Sequence, residues 1–433
     1  MPNVTTLFMP ETLHSANKTS ARPALPQRLA DFETLAEALD YAARSDAFAT
    51  FQDARGNETD RLSYHQLRLD ARCLARSLKR IGLRRGTKIG ILAQTHPDFL
   101  RLFYACQYGG CIAVPLPVLD AIGGRSEYQH KLQGLIESSG VELLCATPDT
   151  TDMLRDCLPH LPPSRILSVP EIEAAARDTP ENKDAAPDDA DNDDGLNPLQ
   201  ADEISHVQYS SGSTSAPVGI EIGQRALMAN ARAIAGPGGL DLVPGDRSVS
   251  WLPFYHDMGL IGHCILPITT QCRIDLLPPT EFARSPLRWL QLISEKRATH
   301  SFAPDFGYEL CIRLARRRQQ LDLDLSCWQV AGIGGDMVKP RVLREFAEAF
   351  RPYGFDPQGL TPSYGLAEAT LAVSFCPKAR PVAHDTVDNR SLATRALAIP
   401  TDASTPFART FVSCGRPLPG YHLRIQHPET QQI

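Results

Sequence analysis

Apolar residues recur at helical spacing from Phe32 to Ser45, and the stretch from Leu62 to Ile81 repeats that spacing more strongly. Gly82 is placed to end the second helix. A compact apolar run at Lys88 to Leu92 then reads as a strand, Pro97 to Tyr108 as a helix and Cys111 to Leu116 as another strand. The alternation continues through Glu127 to Glu137, Val141 to Ala146 and Arg165 to Val169. Strand, helix and strand at this spacing predict an α/β fold, with parallel sheets covered by helices.

Residues 173–203 break the pattern: they are rich in Asp, Ala, Pro and Asn and too poor in large apolar groups to order themselves by burial. They read as an acidic surface linker. A second α/β series follows from Ile204 to Leu371, with a helix at Arg225 to Ile234. Its strands are expected at Ile204 to Tyr209, Arg247 to Leu252, Arg273 to Leu277, His300 to Phe302 and Gln329 to Gly332. Arg316, Arg317 and Arg318 read as the solvated face of a helix. The weakly patterned stretch 376–411 reads as an excursion from the fold and a candidate insertion. Beyond it, Phe411 to Cys414 and Tyr421 to Ile425 look like strands flanking a turn. The expected organisation is therefore a loose arm at 1–30, α/β units at 31–172 and 204–375 joined by the linker, the insertion, and the start of a β subdomain at 412–433.

Composition narrows the class. The 433 residues are 42% apolar and 22% charged, the profile of a soluble globular protein of more than one packed unit. A net charge of −6 gives no electrostatic reason to expect a nucleic-acid partner. The 11 cysteines are odd in number, scattered and never spaced Cys-x-x-Cys, which fits buried free thiols in a reducing compartment. No transmembrane segment and no secretion signal is visible, so a cytoplasmic location is expected.

Four runs carry candidate chemistry. In Tyr209 to Gly219, five small hydroxyl side chains (Ser210, Ser211, Ser213, Thr214, Ser215) surround Gly212 and a Pro-x-Gly closes the run. Such a loop offers backbone N–H and hydroxyl donors to a polyphosphate without a bulky side chain in the way. It lacks the Gly-Lys-Ser/Thr of the P-loop, and by itself it reads as a flexible surface loop. The run Ser250 to Gly262 places a strand end, a kink and a helix start in succession, with His256 and Asp257 at the strand's C-terminal mouth. Met258, Gly259 and Gly262 beyond them suit a wall along which an alkyl chain passes; the alternative is an N-cap Asp with an incidental His. In Ser363 to Thr370, Tyr364 offers a flat face for a purine, Gly365 allows close backbone approach, and Glu368 is a lone carboxylate suited to Mg²⁺. Alone, Glu368 reads as a helix-surface residue. Gly332 to Asp336 is a glycine cluster whose backbone could lie against a nucleobase, or is merely a tight turn.

In this order the four runs resemble the adenylate-forming ligases, and more closely the fatty acyl-AMP ligases, which load fatty acids onto acyl carrier proteins. The resemblance rests on Trp251 to Gly262, Tyr364 to Leu371 and Val412 to Gly420 and covers the chain from about Thr34. It implies two stacked, predominantly parallel sheets with covering helices and the start of a smaller β subdomain. It also implies ATP and Mg²⁺ as cofactors and a fatty acid and a carrier protein's phosphopantetheine arm as partners. Ser210, Ser211, Gly212, Ser213, Thr214 and Ser215 would hold the β- and γ-phosphates, with Gly219 shaping the exit. Gly334, Gly335 and Asp336 would line the adenine with Ser363, Tyr364, Gly365 and Leu366. Glu368 and Thr214 would hold Mg²⁺, His256 and Asp257 would sit by the reacting carboxylate, and Trp251, Met258, Gly259 and Gly262 would border the acyl tunnel.

Two departures qualify the resemblance. Many relatives carry a Lys where this loop has Val218. The family's Thr-Gly-Asp segment, hinge and small lid domain with its Lys would follow Ile433, so these residues alone are expected to adenylate slowly or not at all unless a separate lid chain complements them. The competing expectations are a fatty acyl-CoA ligase and a non-catalytic nucleotide- and lipid-binding remnant.

Overall fold

A computed structural model describes residues 25–53, 55–119, 124–178, 195–209, 218–318, 320–427 and 429–430. Its first strands in chain order are β1 (Phe48–Gln52), β2 (Glu58–Ser63), β3 (Lys88–Leu92), β4 (Ile112–Leu116), β5 (Leu143–Cys145), β6 (Ile166–Leu167), β7 (Ile204–Tyr209) and β8 (Gly219–Gly223). They are followed by β9 (Arg247–Ser250), β10 (Arg273–Leu276), β11 (His300–Ala303), β12 (Val330–Ile333), β13 (Leu360–Gly365), β14 (Ala372–Phe375), β15 (His384–Asp388), β16 (Ala408–Val412) and β17 (Arg416–Pro417).

The described strands form a nine-stranded sheet in the order β17-β14-β13-β12-β11-β9-β10-β1-β2, a six-stranded sheet in the order β6-β5-β3-β4-β7-β8, and the hairpin β15-β16. Both large sheets are parallel within and antiparallel at edges: β2, β14 and β17 in the first, β8 in the second. The expected α/β class holds. The two sheets exchange strands across the 173–203 boundary: β1 and β2 join the later strands, while β7 and β8 complete the earlier sheet. Sequence patterning could not see this, because the partners lie far apart in the chain, Ala49 beside Ile274 and Ala113 beside His206.

Central strands are apolar on both faces because helices cover both; in β3, four of five residues are buried. The helices Tyr64–Arg80 and Pro97–Gly109 lie in one buried core with Ala49 and Phe51 of β1 and Ile89 and Ile91 of β3, and so bind the two sheets together. Ser63 caps the first of these by accepting the Gln66 N–H, and Lys79 and Arg80 complement its C-terminal dipole. Its Leu67, Leu74 and Leu78 are fully buried, each stabilising by about 1.5–3 kcal/mol relative to exposure.

Several expected elements shift. The helix expected from Leu62 begins at Tyr64, since Leu62 belongs to β2. Strands β1, β2 and β8 had no visible signal: β2 reads Glu-Thr-Asp-Arg-Leu-Ser with four exposed residues, an edge strand with no apolar alternation. Arg316–Arg318 follow the helix Asp305–Ala315 instead of lying on it. In the linker, Glu173 to Arg177 continue the helix Val169–Arg177, and Leu199 is buried with its N–H on the Gln107 carbonyl at 2.9 Å. The stretch 376–411 contains β15, the helix Asn389–Arg395 and most of β16, a small unit outside the two sheets. Tyr421 to Ile425 is not a strand; it pairs with no described strand, and Ile425 is 90% exposed. No helix among the described residues is long and apolar enough to cross a membrane. All 11 cysteines are free.

Candidate active site

Loops at the C-terminal ends of β9, β12 and β13 converge, as expected for an open parallel sheet. They open into one cavity of about 630 Å³. Its lining includes Tyr255, His256, Asp257, Met258 and Gly262 from after β9, Gly335 from after β12, and Ser363, Tyr364, Gly365, Leu366 and Glu368 from the β13 end. Residues from three separate sequence runs thus share one surface.

The run after β9 divides by role. Trp251 stacks on Phe282 with ring centroids 3.7 Å apart, and Phe254 packs on Phe99 at 5.0 Å. These rings anchor the kink. Gln208 of β7 donates from Nε2 to the Tyr255 carbonyl at 2.5 Å, which ties the loop to the other sheet. Gly259 sits so close to the backbone that a Cβ there would lie 2.2 Å from the Pro253 carbonyl oxygen. Trp251 and Gly259 therefore hold the turn and do not line the cavity, which corrects their expected place in the tunnel; large apolar and small residues serve a tight corner as well as a channel. A π-type turn at Ile261–Ile265 widens the helix beyond it. At Gly262 an added Cβ would still stand 3.6 Å from Leu371 Cδ2.

His256, not Asp257, caps the short helix Asp257–Leu260. Its Nδ1 lies 2.7 Å from Asp257 Oδ1, which also accepts the Met258 N–H at 2.7 Å. The Met258 N–H is 3.3 Å from His256 Nδ1. The shorter pair of contacts decides the tautomer: Nδ1 carries a proton toward the carboxylate, leaving Nε2 for the cavity. Burial pulls the His256 pKa down, but the hydrogen bond and charge of Asp257 outweigh it and hold it above the ordinary imidazole value.

The β13 end folds back sharply. A Cβ on Gly365 would fall 2.0 Å from the Leu371 carbonyl oxygen, and the Leu366 N–H bonds that oxygen at 2.9 Å. Between them Thr370 is held at φ 76° and ψ −64°, with Leu371 N–H on the Ala369 carbonyl at 3.0 Å. This is a γ-turn of the strained kind, two residues from Glu368. It keeps Tyr364 and Glu368 exposed beside the cavity.

The glycine cluster is only partly in the site. Gly335, at φ 80°, lines the cavity, with its missing Cβ 3.5 Å from Met258 Cε. Gly334 instead allows β12 and β13 to approach, since a Cβ would lie 2.5 Å from Ser363 Oγ. Asp336 is exposed, accepts the Met337 N–H at 2.6 Å and does not line the cavity. Ser210, Ser211, Gly212, Ser213, Thr214 and Ser215 lie outside the described residues. Their flanks are placed: Tyr209 lines the cavity, and Gly219 pairs with Tyr209 as β8 turns back along β7.

Sequence reasoning missed Lys131, Tyr255, Ser248, His263 and His300 in the lining. One signal existed for His263: it lies seven residues after His256, two helical turns on along the same face. Among the described residues no three His, Cys, Asp or Glu side chains group to hold a metal. A lone Glu368 suits a Mg²⁺ whose other ligands come from phosphates and water.

Residues 38–433 match the AMP-binding enzyme family. The chain belongs to that family. A putative acyl-CoA synthetase of Caulobacter vibrioides is 38% identical over 94% of this chain and 68% of its own. A medium-chain-fatty-acid–[acyl-carrier-protein] ligase, JamA of Moorena producens, is 29% identical over 92% of this chain and 66% of its own. A solved chain from work on fatty acyl-adenylate ligases of E. coli and L. pneumophila shares 41% identity at a TM-score of 0.82, over 91% of this chain and 68% of that one. The relatives thus include fatty-acid ligases, in agreement with the resemblance that the motifs carry. The chain spans about two thirds of the length of these relatives.

Proposed function

We propose that the chain is the large catalytic body of an enzyme that activates a fatty acid to its acyl adenylate. The observation that carries this reading is the single cavity joining His256, Tyr364 and Glu368 at its mouth to an apolar passage past Met258 and Gly262. The 210–215 loop would hold the β- and γ-phosphates, and Tyr364 and Gly335 would flank the adenine. Glu368 and Thr214 would hold Mg²⁺, which neutralises charge on the phosphates when bound.

In the reaction a carboxylate oxygen of the acid attacks the α-phosphorus of ATP, and the bond to the departing pyrophosphate breaks. No general base is needed, because the acid is already ionised near neutral pH. The difficulty is bringing anion to anion, so hydroxyl and backbone donors and the His256 imidazole act by positioning and by neutralisation. The activated acyl group then passes to the thiol of a phosphopantetheine arm, with AMP leaving.

The acceptor is assigned to a carrier protein because the relatives include an acyl-carrier-protein ligase. The acyl-CoA alternative draws on the name of the Caulobacter relative. Incubating the chain with ATP, Mg²⁺ and a fatty-acid panel, with and without a supplied C-terminal domain, tests the first step by mass detection of acyl adenylate. Offering coenzyme A against holo carrier protein tests the second. Absence of adenylate in every arm defeats the reading.

A further inference from the structure

The cavity does not end as a simple alkyl tunnel should. The helical run from Asp257 leads away from the mouth, and Thr270, 13 residues on, lies roughly 20 Å further along it. The parallel strands run the other way, so the first residues of β9 and β11 lie at the deep end. The middle is apolar, with Ile234, Leu266, Phe302 and Leu371 in the lining. The floor is polar: Ser248, His263 and His300 line it and are 8%, 2% and 4% exposed.

Each histidine has one ring nitrogen engaged, and the other has no hydrogen bond of good geometry among the described residues. His263 Nδ1 lies 3.1 Å from Ser248 Oγ, and Ser248 donates its one proton to the His300 carbonyl at 3.2 Å. With that proton so placed, His263 donates from Nδ1, and its Nε2, which has no hydrogen-bond partner among the described residues, is the acceptor. At His300, Nδ1 lies 2.7 Å from Thr299 Oγ1, whose proton goes to Asp246 Oδ1 at 2.9 Å. Its Nε2 is again without a hydrogen bond of good geometry among the described residues. The Leu240 carbonyl draws on the same ring, so His263 is the firmer acceptor. Burial, with His300 nearby, pushes His263 down to about 3, and burial also lowers His300, so both rings are neutral.

We propose that the cavity selects fatty acids whose far end carries a hydroxyl group, with His263 Nε2 accepting its proton and His300 beside it. The proposal rests on the acid-activation reading above. A methyl end on this floor leaves the buried His263 Nε2 unpaired, which is costly. A carboxylate end would set acceptor against acceptor at the His263 Nε2. A hydroxyl is small, neutral and a donor, and sites built to bond a hydroxyl reject the analogue lacking it.

The test is calorimetric binding of ω-hydroxy acids, unsubstituted acids and dicarboxylic acids from octanoate to hexadecanoate. At the best-fitting length the hydroxy acid should bind about tenfold more tightly than the unsubstituted acid. His263→Leu should bring that ratio to near one. Ser248→Ala, which frees the His263 tautomer and is the milder change, should lower it too. Equal binding at every length, a dicarboxylate preference, or an unchanged ratio in a folded variant overturns the proposal. MgATP binding and adenylate formation with any acid, measured in parallel, separate the two claims. If they persist without hydroxyl preference, only the end-group selectivity falls; if no acid binds at all, both fall.

Discussion

The mouth and the floor of this cavity are built in opposite ways. At the mouth, Tyr364 and Glu368 are exposed on a backbone held by Gly365 and by the strained turn at Thr370. At the floor, Ser248, His263 and His300 are buried among sheet and helix and are fixed by a chain of hydrogen bonds. The mouth's residues fall in a few short runs of the sequence, so their chemistry travels as motifs. The floor's residues come from three distant elements and have no motif. Function is concentrated in backbone geometry at one end and in side-chain networks at the other, and variants should separate the two.

The largest effect is expected beneath the floor. Arg247 lines the cavity and bonds Asp275 through Nε at 2.6 Å and Nη2 at 2.8 Å, with the carboxylate fully buried. Asp275→Ala leaves a largely buried cation unpaired and should cost about 3–5 kcal/mol in chemical denaturation. A loss below about 1 kcal/mol would mean that the floor is not part of the folded core's framework.

Glu368→Ala should do the reverse: an unchanged melting temperature but Mg²⁺-dependent ATP affinity weakened on the order of a hundredfold. Unchanged affinity would contradict the metal role. Between the two regions, Gly262→Trp should fill the passage and shift the acids bound toward short chains, while ATP binding stays intact. A chain-length profile identical to that of the parent protein would show that the acyl chain does not pass Gly262.

The smallest effect concerns pH. The folded His256 pKa is raised above the ordinary 6.5. Its charged form therefore contributes fully below about 6.5 and is lost as pH rises through the raised value. Fatty-acid affinity should weaken by about tenfold across that interval, the scale of a charge-assisted hydrogen bond. His256→Gln should flatten the profile; a slope that persists in the variant would place the titration elsewhere.

The strand positions from β3 to β7 and from β9 to β12 were largely legible, because central parallel strands are short continuous apolar runs between helices. The polar edge strand β2 was not, since an edge has no buried face to mark it. Trp251 and Gly259 were legible as part of the right motif but not as to role. Only the packing against Phe282 and the Pro253 carbonyl shows that they brace the turn.

Local order fixed the motifs that make the mouth: side-chain size, backbone freedom and apolar spacing are properties of neighbours along the chain. The exchange of strands between the two sheets, and the meeting of Ser248, His263 and His300 beneath the cavity, were decided by tertiary structure alone. Burial of a side chain and the vacancy of its second nitrogen depend on groups far away in sequence, which no local pattern encodes.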